Sequence, residues 1–345
     1  MGVSPTHSAA RRRRDSQRDA GATSSMKSII VHEYGAPEVM KLEDVPTPVP
    51  GDGQVLVKIV AAGVNPVDTY LRSGTYANAP KPPYTPGKDG AGVVERVGDG
   101  VTNFKPGDRV YTAGSISGTY AEYSLCDEGH LGPLPGNISF AEGAGIWTPY
   151  ATSYRALFQK ADAKSRETVL IHGASGGVGV AAIQWAKHAG LKVIGSASSG
   201  EGKKLAADQG ADHVVDHTDD EHLQEVLAIT DGKGVEVIIE MLANVNLQKD
   251  FDALAMFGRV SIVGNRGSLE FNPRSVMAKE ATIKGMSLFN SPDDAVREIH
   301  AAVFEGLSEG YLKPVISESI PLAEAPRAHH QVIESKAFGK IVLTP

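Results

Sequence analysis

Short apolar runs broken by proline and glycine fill the first part of the chain. They fall at residues 28–32, 54–60, 90–98 and 108–111, with Pro46, Pro48, Pro50 and the Gly51-Asp52-Gly53 turn separating the first two. Closely spaced strands of this kind predict a small barrel-like β domain. Helical stretches follow at 141–144 and 152–158. From residue 168 onward, β-branched runs alternate with amphipathic ones. The runs lie at 169–172, 192–197, 213–216, 235–240, 259–263 and 282–289, and this alternation predicts a doubly wound parallel sheet. A helix over 295–309, a short strand and another helix lead to a final strand at 339–343, expected to rejoin the first domain. The fold class is therefore α/β. One unit comprises residues 26–147 and 291–345, and a six-stranded unit comprises 148–290.

The chemistry concentrates in one turn. The run Thr168-Val169-Leu170-Ile171 enters glycines at Gly173, Gly176 and Gly179, and an alanine-rich helix leaves them. Strand, glycine turn and helix in this order open a dinucleotide-binding βαβ unit, here with G-x-x-G-x-x-G spacing. Gly173 is expected to permit the turn, Gly176 and Gly177 to admit a pyrophosphate close to backbone, and Gly179 to let the helix pack tightly. An NAD site needs a carboxylate about 20 residues further on, at the end of the second strand. This chain has Ser198 and Ser199 there, followed by Lys203 and Lys204. Hydroxyls and an ammonium suit the 2′-phosphate of NADP. Nearby Glu201 pulls the other way, so NADPH is favoured rather than fixed. Lys204 is expected to be a solvated helix residue.

Composition narrows the field. A chain of 345 residues with 22% charged residues and a net charge of −7 offers no reason for nucleic acid or an anionic membrane to be its main partner. No apolar run approaches the about 20 residues of a membrane span. The single cysteine, Cys126, permits neither an intrachain disulfide nor a cysteine-rich zinc site. With no signal-peptide pattern, a cytoplasmic location is expected. Residues 1–25 lack apolar periodicity and carry four arginines at 11–14, so they are expected to form a disordered arm, a dispensable extension in the favoured reading and an RNA-binding or localisation patch in the sharper one.

Four segments carry a family resemblance: Gly63-Val64-Asn65-Pro66-Val67-Asp68-Thr69-Tyr70, then Tyr84-Thr85-Pro86-Gly87, then residues 172–179, then Ile239-Glu240-Met241-Leu242-Ala243-Asn244-Val245-Asn246-Leu247. Through them, residues 26–345 resemble the medium-chain dehydrogenase/reductase superfamily, and within it the zinc-free, zeta-crystallin-like NADPH:quinone oxidoreductases. The resemblance implies a GroES-like catalytic domain, a Rossmann domain and NADPH as cofactor. It places Tyr70 at the nicotinamide end, and Ser175, Gly176, Gly177 and Val178 in the pyrophosphate loop. Lys203 and His217 fall near the adenosine ribose and its phosphate, Asn246 at a cofactor contact, and Val263, Gly264, Asn265 and Arg266 beside the nicotinamide. It also implies pairing of edge strands 283–289 into a homodimer or homotetramer.

Both zinc sites of the superfamily are expected to be absent. Its G-H-E motif reads Gly87-Lys88-Asp89 here, and the loop that would hold the first cysteine reads Ala62-Gly63-Val64-Asn65. A lysine repels Zn²⁺, and no thiolate replaces it. Asp68 and Lys88 are expected to pair near the vacated position. His329 and His330 are expected to be solvated on a surface helix. Trp147 and Thr148 depart from the family pattern beside the substrate cleft.

Without zinc, hydride delivery to an electron-poor acceptor remains open, because the acceptor delocalises the incoming charge. NADPH-dependent reduction of quinones is the leading function. Reduction of α,β-unsaturated carbonyls or enoyl thioesters is the alternative, with Tyr76 as proton donor because related enoyl-thioester reductases carry their tyrosine there. A binding protein, crystallin-like or RNA-binding, is the alternative of another class. Tyr70 and Tyr76 have plainer readings as rings packed on the barrel or lining the cleft.

Overall fold

The structure is a computed structural model describing residues 24–335 and 338–345. The arginines at 11–14, and any RNA-binding role for them, lie outside the described residues.

Strands β1 (Ser25–Val31) and β2 (Met40–Pro46) form an antiparallel hairpin. The body of the first domain is built from β3 (Gln54–Gly63), β4 (Asp89–Val97), β5 (Arg109–Ala113), β6 (Tyr123–Asp127) and β7 (Leu131–Pro133). The sheet of the second domain contains β8 (Thr168–Ile171), β9 (Lys192–Ser196), β10 (His213–Val215), β11 (Val235–Glu240), β12 (Leu254–Ile262) and β13 (Thr282–Gly285). The last strands, β14 (Ile316–Pro321) and β15 (Lys340–Thr344), return to the first domain. There the seven-stranded sheet runs β14-β15-β3-β4-β5-β7, with β6 paired to β3.

The second sheet runs β10-β9-β8-β11-β12-β13, every pair parallel. Helices cover both of its faces, which is why its central strands read as continuous apolar runs instead of alternating ones. Val169, Leu170 and Ile171 of β8 are all fully buried. The sequence order reverses between β8 and β11, and in sheets of this type ligands bind beyond the carboxyl ends of the strands at that point.

The C-terminal strand does more than complete the first sheet. β15 pairs with β3 through Val342 and Leu343. Just before it, Gly339 bridges to Gly176 and donates its N–H to the Ser175 carbonyl at 2.7 Å. The first domain is thus tied to the glycine turn of the second.

Local details differ from the sequence expectations. Ser25 already belongs to β1, and the Ser24 carbonyl accepts the Thr47 N–H, so regular structure starts before residue 26. The expected strand over 282–289 ends at Gly285 and gives way to a 3-10 turn at Leu288–Asn290. Residues 147–160 wind through π-helical turns at Trp147–Ala151 and Arg155–Lys160. His330 is exposed and paired with Glu38 and Glu334, as a solvated residue should be. His329 is not: it is 1% exposed, its Nε2 lies 3.1 Å from the Tyr120 hydroxyl, and burial pushes its pKa down to about 3. The helix Ala325–Glu334 is amphipathic and presses that face onto the barrel.

Candidate active site

At the reversal point, β8 ends in the glycine turn. Gly173 adopts φ of +58°, the left-handed region that a side chain disfavours. A Cβ at Gly179 would lie 2.3 Å from the Gly173 carbonyl oxygen and 2.6 Å from Ala174 Cα, so only glycine lets the helix Gly177–His188 begin this close to the turn. Gly176 is its N-cap and supplies no side chain. The N–H groups of the first turn and the positive end of the helix dipole are therefore directed outward without a side-chain cap.

A cleft of about 520 Å³ opens above this turn, between the two domains. Gly173, Gly176, Gly177, Val178 and Gly179 form one wall, and Val263, Gly264, Asn265 and Arg266 form another. Tyr70 and Tyr76 face them from the first domain. Arg266 Nε donates to the Tyr70 hydroxyl at 3.0 Å, so two expected site residues separated by 196 positions meet across the cleft. Tyr70 stands on the helix Pro66–Ser73, whose capping box joins Asn65 and Asp68. Tyr76 packs the edge of its ring against Phe289, 6.2 Å between centroids. Met241, Met286 and Leu288 add apolar surface. Ser175 lies in the turn itself, its carbonyl held by Gly339.

The residues expected at the adenosine end cluster beyond β9 and β10, outside the cleft lining. Ser199 caps the helix Gly200–Asp208, accepting the Gly202 N–H at 2.9 Å, and Ser198 precedes it half-buried. Lys203 Nζ lies 2.9 Å from Asp216, whose carboxyl is held well below the usual range by its bonds from Thr218 and Lys203. The acid that the second strand lacks is thus supplied by the third, already paired with the lysine. His217 Nδ1 lies 3.4 Å from the Ser196 hydroxyl; the residue reaches the surface, and partial desolvation of its ring lowers its pKa. Lys204 is exposed and pairs with Asp208. Asn246 faces inward, where its amide donates to Glu240 at 3.2 Å.

The floor of the cleft holds a buried polar unit that sequence reasoning did not assemble. Lys340 is 5% exposed and its ammonium donates to the Asn65 amide oxygen, with Asp89 at 3.5 Å. Asn65 Nδ2 donates to Asp89 at 3.0 Å, and Thr148 donates to Asp89 through its hydroxyl at 2.7 Å. Lys88 does not pair with Asp68 as expected. Its ammonium reaches the Ser115 carbonyl at 2.9 Å, while Asp68 bonds to the Asn65 N–H at 2.9 Å and faces the Tyr120 hydroxyl. Asp68 is buried beside Asp89, and its pKa is raised to about 6. Trp147 turns away from the cleft and stacks on His300, 4.5 Å between centroids, whereas Thr148 lines it. The one signal for Lys340 was a lysine opening an otherwise apolar strand. Nothing in the sequence showed that its partners lie at positions 65 and 89.

This donor set does not suit zinc. It offers an amide, a carboxylate already bound by three groups and an ammonium, with no thiolate, and Cys126 is buried with its thiol pushed up to about 12.

Comparison with known proteins gives this geometry a family. Residues 51–136 match the alcohol dehydrogenase GroES-like domain, and residues 177–304 match the zinc-binding dehydrogenase domain. A human quinone oxidoreductase is 48% identical over 320 residues, covering 92% of this chain and 97% of that protein. A 2-haloacrylate reductase from a Burkholderia species is 31% identical, covering 92% and 98%. The crystal structure of an Escherichia coli quinone oxidoreductase complexed with NADPH superposes with a TM-score of 0.85 at 30% identity, covering 92% and 100%. With its GroES-like and Rossmann domains and this level of identity, the chain belongs to the quinone oxidoreductase family of the medium-chain dehydrogenase/reductases.

Proposed function

We infer that this chain reduces quinones with NADPH, and that the Tyr70–Arg266 contact marks where nicotinamide and acceptor meet. The carrying observation is the convergence on one apolar cleft of the glycine turn, the loop after β12 and a tyrosine from the other domain. NADPH supplies the two electrons, as a hydride or singly, and the protein supplies orientation and electrostatics.

The chain's own residues divide that work. The uncapped helix start at Gly176 and Gly177 suits the pyrophosphate, which leaves no room for side chains. Ser198, Lys203 and His217 suit the ribose and its 2′-phosphate. Gly264 allows close approach in the nicotinamide loop, since a Cβ there would lie 2.2 Å from the Met241 carbonyl. Val64, Val67, Leu288 and Phe289 give a flat aromatic acceptor an apolar slot that excludes water. A quinone spreads incoming charge over its ring, so the floor needs no Lewis acid. Lys203→Ala is expected to reduce the preference for NADPH over NADH roughly tenfold, the worth of one charge-assisted bond, in parallel measurements of Kd. An unchanged preference would remove Lys203 from the phosphate site.

A second reading, reduction of conjugated carbonyls, is supported by Tyr76 in the cleft and by the likeness to a 2-haloacrylate reductase. Tyr76→Phe separates the two. If Tyr76 is a general acid, turnover of a 2-alkenal falls about 100-fold while quinone turnover is kept. Equal effects on both substrates would leave Tyr76 as cleft lining.

Self-association through the outer edge of β13 accords with its place at the end of the six-stranded sheet, beside exposed Met277 and Phe289. Sedimentation should then give at least twice the 36.4 kDa of one chain; a monomer contradicts the pairing. No helix among the described residues is long and apolar enough to cross a membrane, and we read the location as cytoplasmic.

A further inference from the structure

Beneath the glycine turn lies a cluster that the proposed chemistry does not use. His172 directly follows β8 and precedes Gly173, Glu240 ends β11 just before Met241, and Asp250 projects from the helix Ala243–Ala253. All three are at most 4% exposed. His172 Nε2 lies 2.9 Å from Asp250 Oδ1 and 3.5 Å from Glu240 Oε2. One oxygen of each carboxyl and the ring nitrogen all fall within 4.8 Å of one another. Glu240 Oε2 and Asp250 Oδ2 have no protein donor, although both are sealed from solvent. Two buried carboxylates side by side, each with an orphaned oxygen, carry a large desolvation and repulsion cost. One proton held by the pair removes one of the two buried charges and lets one carboxyl donate to the other.

A cation would neutralise the pair too, but the His172–Asp250 separation is that of a direct hydrogen bond. Two ligands on a tetrahedral Zn²⁺ stand about 3.3 Å apart, given bonds of about 2.0–2.1 Å.

Glu240 also organises the cleft. Its Oε1 accepts the Leu242 N–H and the Asn246 amide, and its backbone carbonyl accepts the N–H groups of Val263 and Gly264. It therefore binds the 241–246 turn to the loop that faces Tyr70. On the other side the cluster continues outward. His172 Nδ1 lies 3.3 Å from the Ser196 hydroxyl, which lies 3.4 Å from exposed His217. This chain of bonds gives a buried proton a route to solvent.

We propose that Glu240 and Asp250 share one proton, and that this proton positions the 241–246 turn and the adjoining 263–266 loop for the cofactor. Glu240 and Asp250 are positioning residues, not catalytic ones. The inference rests on NADPH being the cofactor, but the proton itself can be observed without it. The titratable group facing the pair is His172, just after β8; behind it His217 interacts with His172, Asp216 and His222, and Asp216 is paired with Lys203. Burial raises both carboxyls toward neutrality and lowers His172, so the pair keeps its proton far above the usual carboxylate range. Carboxyls raised in this way contribute stability that is complete below their unfolded values near about 4 and is lost as pH rises through their raised folded-state values. The second buried charge also opposes the phosphates above, so cofactor affinity falls in the same direction.

Two measurements on the full chain test this. Infrared difference spectra of the cofactor-free protein between about pH 6 and 8 should show a protonated-carboxyl C=O band disappearing, and Glu240→Gln and Asp250→Asn should each abolish that change. Dissociation constants for NADH, which has no 2′-phosphate to titrate, should rise roughly fivefold over the same range, within the about tenfold per pH unit that one linked proton allows. In Glu240→Gln they should stay flat, because the amide keeps the Leu242 and Asn246 bonds and donates to Asp250. If that variant does not fold, Asp250→Asn carries the same expectation. No band in the native protein overturns the shared proton. A band with pH-independent binding, or pH dependence unchanged in both variants, overturns its positioning role. Failure of NADH and NADPH to bind at any pH would count against the cofactor reading and leave the infrared result standing.

Discussion

Asp89→Ala is expected to lower the thermal unfolding midpoint by roughly 10 °C, the largest stability loss we anticipate from one substitution. Asp89 is 1% exposed and accepts bonds from Asn65, from Thr148 and from the buried Lys340 ammonium. Removing it strands a charge, an amide and a hydroxyl. Breaking one partner of a buried ion pair typically costs about 3–5 kcal/mol, because the other charge stays buried without compensation. At roughly 2–4 °C per kcal/mol for domains of 150–250 residues, a shift of this size follows. Adding Lys340→Met should recover part of the loss, since the stranded ammonium leaves with it. Calorimetry of both variants checks this, and an Asp89→Ala midpoint within about 2 °C of the parent would contradict the account of the cleft floor.

Gly179→Val is expected to weaken NADPH binding by at least about 100-fold, or ~2.7 kcal/mol. The obstacle is backbone, not a movable side chain: the Gly173 carbonyl and Ala174 Cα occupy the space a Cβ needs. The helix start must therefore move away from the turn, and with it the N–H groups that face the phosphates. Fluorescence titration with NADPH, beside circular dichroism to verify folding, gives the comparison. Affinity within threefold of the parent would mean the turn does not hold the pyrophosphate.

Gly179 and Asp89 differ in how readable they were. The glycine turn could be read because its constraints are local: strand, turn and helix follow one another within a dozen residues or so, Gly173 is required by its own backbone angle, and Gly179 answers to Gly173 and Ala174 in the same segment. The central parallel strands were equally legible, since burial on both faces leaves continuous apolar runs, whereas the largely exposed edge strand β13 ends at Gly285, short of the expected residue 289. Asp89 was seen only as a missing zinc ligand. Its partners Asn65 and Lys340 are 24 and 251 positions away, and no periodicity links them. The same holds for Lys203, whose acid arrives from the end of β10, and for Asn246, which turns inward because Glu240 is buried there. His329 misled for another reason. Two adjacent histidines on one helix read alike, yet successive helical residues point about 100° apart, so one met the barrel and the other met water.

The most direct test of the central claim is the rate of NADPH oxidation with 9,10-phenanthrenequinone in the presence of EDTA, compared with NADH. The account predicts quinone-dependent oxidation that prefers NADPH and is indifferent to the chelator. Loss of turnover on chelation, or tight NADPH binding with no quinone reduction, would contradict it.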